Sequence, residues 1–203
     1  MSLLRNDGVK NGKGTFIDVT EQADLMSLHP TQTAAWADYD NDGWLDVYLG
    51  TGESFYQSLL PNRMFRNSNG KAFQDITTSG DFGDLQKGHA IAFGDLENND
   101  NEDVFEEMGG AFPGDTYQST LYRNPGHGNH WVTPLLEGVQ SNRAAFGARI
   151  AVTVTTPAGV CHICRTVGYG SSFGGNPLRQ HIGLGAATTI EKLEVTRPTS
   201  HIT

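Results

Sequence analysis

The sequence predicts an all-β protein in which repeated β units are followed by a small β-sandwich, and three observations carry that prediction. Glycine fills 25 of the 203 positions, well above average usage, while charged residues stand at an ordinary 18%. Such a chain is rich in turns. No segment sustains a helical period, whereas short apolar runs alternate with polar residues between turn residues. A set of residues also recurs at a fixed spacing, the mark of a repeat architecture.

The repeat organises the first part of the chain. Phe16, Asp18, Thr20, Ala35, Asp38, Asp46 and Val47 reappear as Phe73, Asp75, Thr77, Ala92, Asp95, Asp103 and Val104, each 57 positions later. An aromatic-or-leucine, Arg, Asn triplet opens each unit, as Leu4-Arg5-Asn6, Phe65-Arg66-Asn67 and Tyr122-Arg123-Asn124, with four extra residues between the first pair. The repeats therefore occupy residues 1–127, as units of about 1–60 and 61–119 with a third begun. Within a unit, strands are predicted near 15–19, 33–37 and 45–49, and Glu21 to His29 has room for one or two helical turns. From Gly128 the repeat stops. Longer alternating runs such as Gly147-Ala148-Arg149-Ile150-Ala151-Val152-Thr153-Val154, separated by Gly, Pro and Ser turns, predict a second all-β unit over 128–203.

Charge and composition remove several function classes. The net charge is −9, and the 14 Lys and Arg residues are scattered singly, so the basic stripe of a nucleic-acid binder is missing. No apolar stretch approaches the roughly 20 residues of a membrane helix, which argues against membrane insertion, and Met1 to Gly8 holds no apolar signal core. Cys161 and Cys164 are the only two cysteines, so no disulfide framework follows and their redox state stays open.

The chemistry concentrates in Asp38-Tyr39-Asp40-Asn41-Asp42-Gly43-Trp44-Leu45-Asp46. Carboxylates at positions one, three and five, followed by glycine at six, form the opening of a calcium loop, in which the glycine permits the sharp turn. The backbone carbonyl of Trp44 would complete the arc, and Asp46 at nine would ligate directly. An EF-hand is excluded, because position twelve is Leu49 and the flanks read as strands. Clustered carboxylates repel by about 1 kcal/mol per close pair even in water, and a hard divalent ion relieves that cost. Oxygen donors in a flexible loop favour Ca²⁺ over Mg²⁺. The plainer alternative is a hairpin in which Asn41-Asp42-Gly43 only turns the chain. The second copy offers Asp95, Glu97, Asn99, Asn101 and Asp103, with Asp100 in place of the turn glycine, and is expected to bind more weakly or not at all. Glu102 and Glu106 replace Leu45 and Leu49 there, which predicts that this face of the following strand lies in water.

The two repeats resemble FG-GAP (VCBS) repeats, the calcium-loop blades of integrin-type β-propellers, and Phe93-Gly94 sits where that family has its Phe-Gly. The run from Leu121 to Trp131, then Ser141-Asn142-Arg143, Gly147-Ala148-Arg149 and His181-Ile182-Gly183-Leu184-Gly185, resembles an ASPIC/UnbV domain, as in the cartilage acidic proteins. The resemblance implies two propeller-like blades followed by the sandwich, calcium as the only cofactor, and a non-catalytic adhesion or interaction module. It also implies an extracellular or cell-envelope location and a protein or glycan partner. Two blades cannot close a ring, so exposed strand edges predict self-association.

Other candidates are weaker. Cys161-His162-Ile163-Cys164 lacks a second pair and lies in a β run, where i and i+3 face opposite sides, so ordinary strand roles are expected. His127, His130 and His181 flank turns and read as packing residues. A calcium-dependent carbohydrate-binding or carbohydrate-active protein is the alternative from another class, with Glu106, Glu107 and Asp115 as candidate carboxylates, and a structural remnant of a longer propeller is the third.

Overall fold

A computed structural model describes residues 1–197 except 28, 54, 56–58, 111, 115, 169 and 171–172. Among the described residues the chain is all-β, with several small antiparallel sheets, no helix and no closed barrel. No helix is long and apolar enough to cross a membrane. Asp115 and the residues after Arg197 lie outside the described residues.

The 57-residue spacing reappears in the strands themselves. Strands β1 (Leu4–Lys10) and β2 (Lys13–Asp18) form a hairpin, and β3 (Thr31–Ala37), β4 (Asp46–Thr51), β5 (Arg63–Ser68) and β6 (Ala72–Asp75) follow as a four-stranded meander. Strands β7 (Gly88–Gly94), β8 (Asp103–Met108) and β9 (Thr120–Tyr122) form a three-stranded sheet whose members begin 57 residues after β3, β4 and β5. The β1–β2 register, with Leu4 opposite Asp18 and Asn6 opposite Phe16, repeats that of β5–β6, with Phe65 opposite Asp75 and Asn67 opposite Phe73. The hairpin is thus a copy of the last two strands of the meander. Its apolar side chains Leu4, Val9, Phe16 and Ile17 are exposed, whereas Phe73, the counterpart of Phe16, packs edge-on against Trp36.

Residues 21–24 form a turn, and the other described residues up to 29 form no helix. The amides of Ala23 and Leu25 donate to Val19 and Thr20 carbonyls, and Asp24 adopts a φ of 57°, which ends any helical run. The same bonds recur from Gly80 and Phe82 to Ile76 and Thr77, with Asp81 at a φ of 61°.

Alternation on each strand sets the packing. Ala35 and Ala37 on β3 and Tyr48 on β4 turn toward the second sheet and share a core with Ile91, Phe93, Val104 and Phe82. Val47 and Leu49 turn the other way and join Leu25 and Phe65. The backbones of β4 and β7 touch where Gly50 meets Gly88, and any side chain at either would overlap its neighbour. Glu102 and Glu106 are buried, contrary to the expectation that their face lies in water. The strand turns that face toward the first sheet, where Val104 shares the core with Tyr48, and it is Phe105 and Glu107 that meet solvent.

Beyond β9 the pattern departs. The position that the repeat would give to a fourth strand holds β10 (His130–Val132), which pairs instead with β13 (Ile182–Gly185). Strands β11 (Arg149–Thr156), β12 (Gly159–Thr166) and β14 (Ile190–Thr196) form a sheet in the order β12-β11-β14. Ile150, Val152 and Val154 of β11, Ile163 of β12 and Ile182 and Leu184 of β13 meet in one core, so both small sheets close over a common interior.

Candidate metal centre

The turn between β3 and β4 gathers the predicted acidic residues. Asn41 and Gly43 take left-handed conformations, with φ of 60° and 96°, and these bends fold the loop inward. Ligand oxygens of Asp38, Asp40 and Asp42 then lie within 4.8 Å of one another, and all but Asp42 are buried. Oxygens that share one Ca²⁺ stand at most about 5.2 Å apart, twice the longest usual bond, so the three fit a single ion. Asp46 is held outside this group: its Oδ2 accepts the Tyr39 amide at 2.9 Å and its Oδ1 accepts the Asn67 amide at 2.7 Å. Trp44 donates its amide to Asp42 Oδ1 at 2.8 Å, and its ring lies over Gly70.

Burial dominates the electrostatics. It pushes Asp38 up to about 7, against the pull of Arg165, and Asp42 up to about 6. Asp46 is pushed up to about 8 by burial, with the charges of Asp40 and Asp38 adding to it. Glu102, buried beside Asp38, is likewise raised to about 8. Asp38 and Asp42 thus resist ionisation within the cluster, which a cation would relieve.

The second unit closes over this loop. Arg165 of β12 donates from Nη2 to Asp38 Oδ2 at 2.9 Å, and the Gly183 amide of β13 reaches the same oxygen at 3.0 Å. Asn129 donates to the Asp40 carbonyl at 2.9 Å, Gly185 donates to the Asn41 carbonyl at 2.9 Å, and His181 Nε2 lies 2.5 Å from Asn41 Oδ1. Ile163 packs against Gly43. Sequence reasoning missed this cover. His181 and Gly183 stand in the motif His181-Ile182-Gly183-Leu184-Gly185 but read there as turn and packing residues, and Arg165 carries no local signal at all.

The second loop keeps the backbone and loses the cluster. Asp95 accepts the amides of Asn99 and Asp100, Asp103 accepts those of Leu96 and Asn124, and Asp100 takes a φ of 63°. Glu97 turns outward to pair with Arg123, and Asn99 is exposed. Asn101 donates its amide to Asn99 Oδ1 at 3.0 Å. Among the described residues, Asp38, Asp40 and Asp42 are the one acidic or thiol group able to hold an ion together.

The remaining candidates disperse. Cys161 and Cys164 are free thiols on β12, the first half-buried and the second exposed. His127 packs edge-on against Tyr39 at 4.9 Å, and His130 is exposed. Glu106 is buried, while the adjacent Glu107 faces solvent and accepts from Ser119 at 2.6 Å, so the two carboxylates do not share a site.

Fold and site together define an all-β protein of small antiparallel sheets with a buried acidic turn at the junction of its two parts. Residues 138–203 match the family described as ASPIC and UnbV, which supports the resemblance over that part of the chain. No curated protein aligns significantly with the chain.

Proposed function

We propose that this chain is a calcium-binding interaction module, with Asp38, Asp40 and Asp42 holding one ion whose role is structural. The observation that carries this reading is the convergence of three carboxylates, two of them buried, within reach of a single divalent ion. The ion would supply the positive charge that lets these groups ionise inside the fold. Asp46 acts as a clasp for the loop backbone and stands next in line as a ligand. Since the loop backbone also receives Asn129 and Gly185 of the second unit, a stiffened loop would fix the junction between the two parts. The second loop is weaker.

The meander β3–β6 and its shortened copy β7–β9 are read here as two propeller-type blades of the FG-GAP kind. We further propose a non-catalytic role in adhesion, an extracellular or cell-envelope location, a protein or glycan partner, and self-association through strand edges. The exposed apolar side chains of the β1–β2 hairpin support the last point, which sedimentation at high protein concentration would test.

Thermal melting with Ca²⁺ and with chelator tests the central reading. An ion bound only by the fold at one hundred times its dissociation constant stabilises by about 2.7 kcal/mol, a shift of several degrees. No shift at millimolar calcium would remove the proposal.

A further inference from the structure

Glu106 lies between the two repeat sheets, on the face of β8 that turns toward the first, and is 0% exposed. Its Oε2 is 2.8 Å from the Tyr48 hydroxyl of β4, and its Oε1 is shielded from solvent with no hydrogen-bond partner. The groups around it are Tyr48 from β4, Tyr122 from β9 and Asp84 from the segment before β7, with Lys87 buried at the foot of β7. Gly88 stands directly against it, since a side chain there would overlap Glu106 Oε1 and Asn62 Oδ1.

The hydrogens in this cluster can be counted. The Tyr48 hydroxyl is also 3.0 Å from the Phe82 carbonyl, which can only accept, so its one proton cannot fully serve both that carbonyl and an ionised Glu106. The Tyr122 proton goes to Asp84 Oδ2 at 2.9 Å, and the Thr120 proton to the same oxygen at 3.2 Å. A protonated Glu106 supplies the second hydrogen that lets both contacts of Tyr48 be bonded at once. An ionised Glu106 would instead compete with the Phe82 carbonyl for one proton and leave Oε1 without a donor in a buried site, a costly arrangement.

We propose that Glu106 is kept as a neutral carboxylic acid that clasps the two repeat sheets through Tyr48, and that its ionisation is a pH-sensitive release of that clasp. Burial raises Glu106 from 4.5 to about 7 and the charge of Asp84 adds to this, while a bond donated by Tyr48 to the ionised carboxylate works the other way. Because the folded value lies above the unfolded one, the fold binds the extra proton. The clasp contributes fully below pH 4.5 and is lost as pH rises through about 7. This inference does not depend on the calcium reading.

The experiment follows the side-chain carboxyl signals of the full chain, with ¹³C-labelled glutamate, by NMR from pH 4 to 9. The Glu106 signal is assigned by its absence from Glu106→Gln, with Tyr48→Phe, which shifts the same signal, as a second assignment should the first variant fold poorly. It is expected to titrate about two pH units above the exposed glutamates. Melting temperatures of wild type and Glu106→Gln are expected to agree near pH 4.5 and to separate by pH 8 in favour of the variant, whose amide donates to Tyr48 at every pH. A Glu106 signal that titrates with the exposed glutamates overturns the proposal, as do parallel melting profiles.

Discussion

In the turn 38–46 the first aspartate accepts the Gly43 amide and the ninth accepts Tyr39 and Asn67; in the turn 95–103 the first accepts Asp100 and the ninth accepts Leu96 and Asn124. Both turns also place their fourth and sixth residues in left-handed conformations. The backbone of the two loops is therefore the same, and in both the first and ninth aspartates hold it through peptide N–H groups. What differs is the third and fifth positions and the cover. Asp40 and Asp42 point inward beneath the second unit, whereas Glu97 is drawn out by Arg123 and Asn99 is neutral and exposed. The loop backbone is thus held by the first and ninth residues, while the gathering of carboxylates turns on the third and fifth.

The largest expected effect follows from that separation. Asp40→Ala removes a proposed ligand and the acceptor of the Asp42 amide but leaves the backbone bonds to Asp38 and Asp46 in place, so the folded state should persist while the calcium-induced rise in melting temperature disappears. Melting curves with and without calcium read both at once.

A smaller effect is predicted for pH. Asp38, Asp42 and Asp46 are raised by burial to about 7, 6 and 8, so the folded protein without calcium binds more protons than the unfolded chain above pH 3.8. Its stability should fall as pH rises from about 4 to about 8, and saturating calcium should flatten that slope. Melting temperatures across this range check the sign.

A third prediction converts one loop into the other. Glu97→Asp, Asn99→Asp and Asp100→Gly together give the second turn the acidic pattern of the first, and the count of bound ions in a calcium titration should rise by one. Smallest of all, Arg123→Ala frees Glu97 but loses only an exposed pair, so the melting temperature should hardly move.

Much of the fold was legible because the repeat fixes both period and register. Strands predicted near 33–37 and 45–49 are found at 31–37 and 46–51, and their copies lie 57 residues on. Asp38, Asp40 and Asp42 were legible because alternation with a following glycine admits few other geometries. The burial of Glu106 was not, since a glutamate in place of Leu49 reads as solvent-facing until Tyr48 of the neighbouring sheet is seen to receive it. Nor was Arg165, which reaches Asp38 from 127 residues away across a contact that no local pattern encodes. The diversion of β10 to β13 was equally hidden, because pairing choice depends on which edge lies nearer and not on the three residues of the strand.

The most direct measurement is an equilibrium calcium titration of the full chain by calorimetry. The account predicts one bound ion in the wild type and none in Asp40→Ala, with magnesium a poor substitute. Absence of binding at millimolar calcium, or binding that survives Asp40→Ala unchanged, would contradict it.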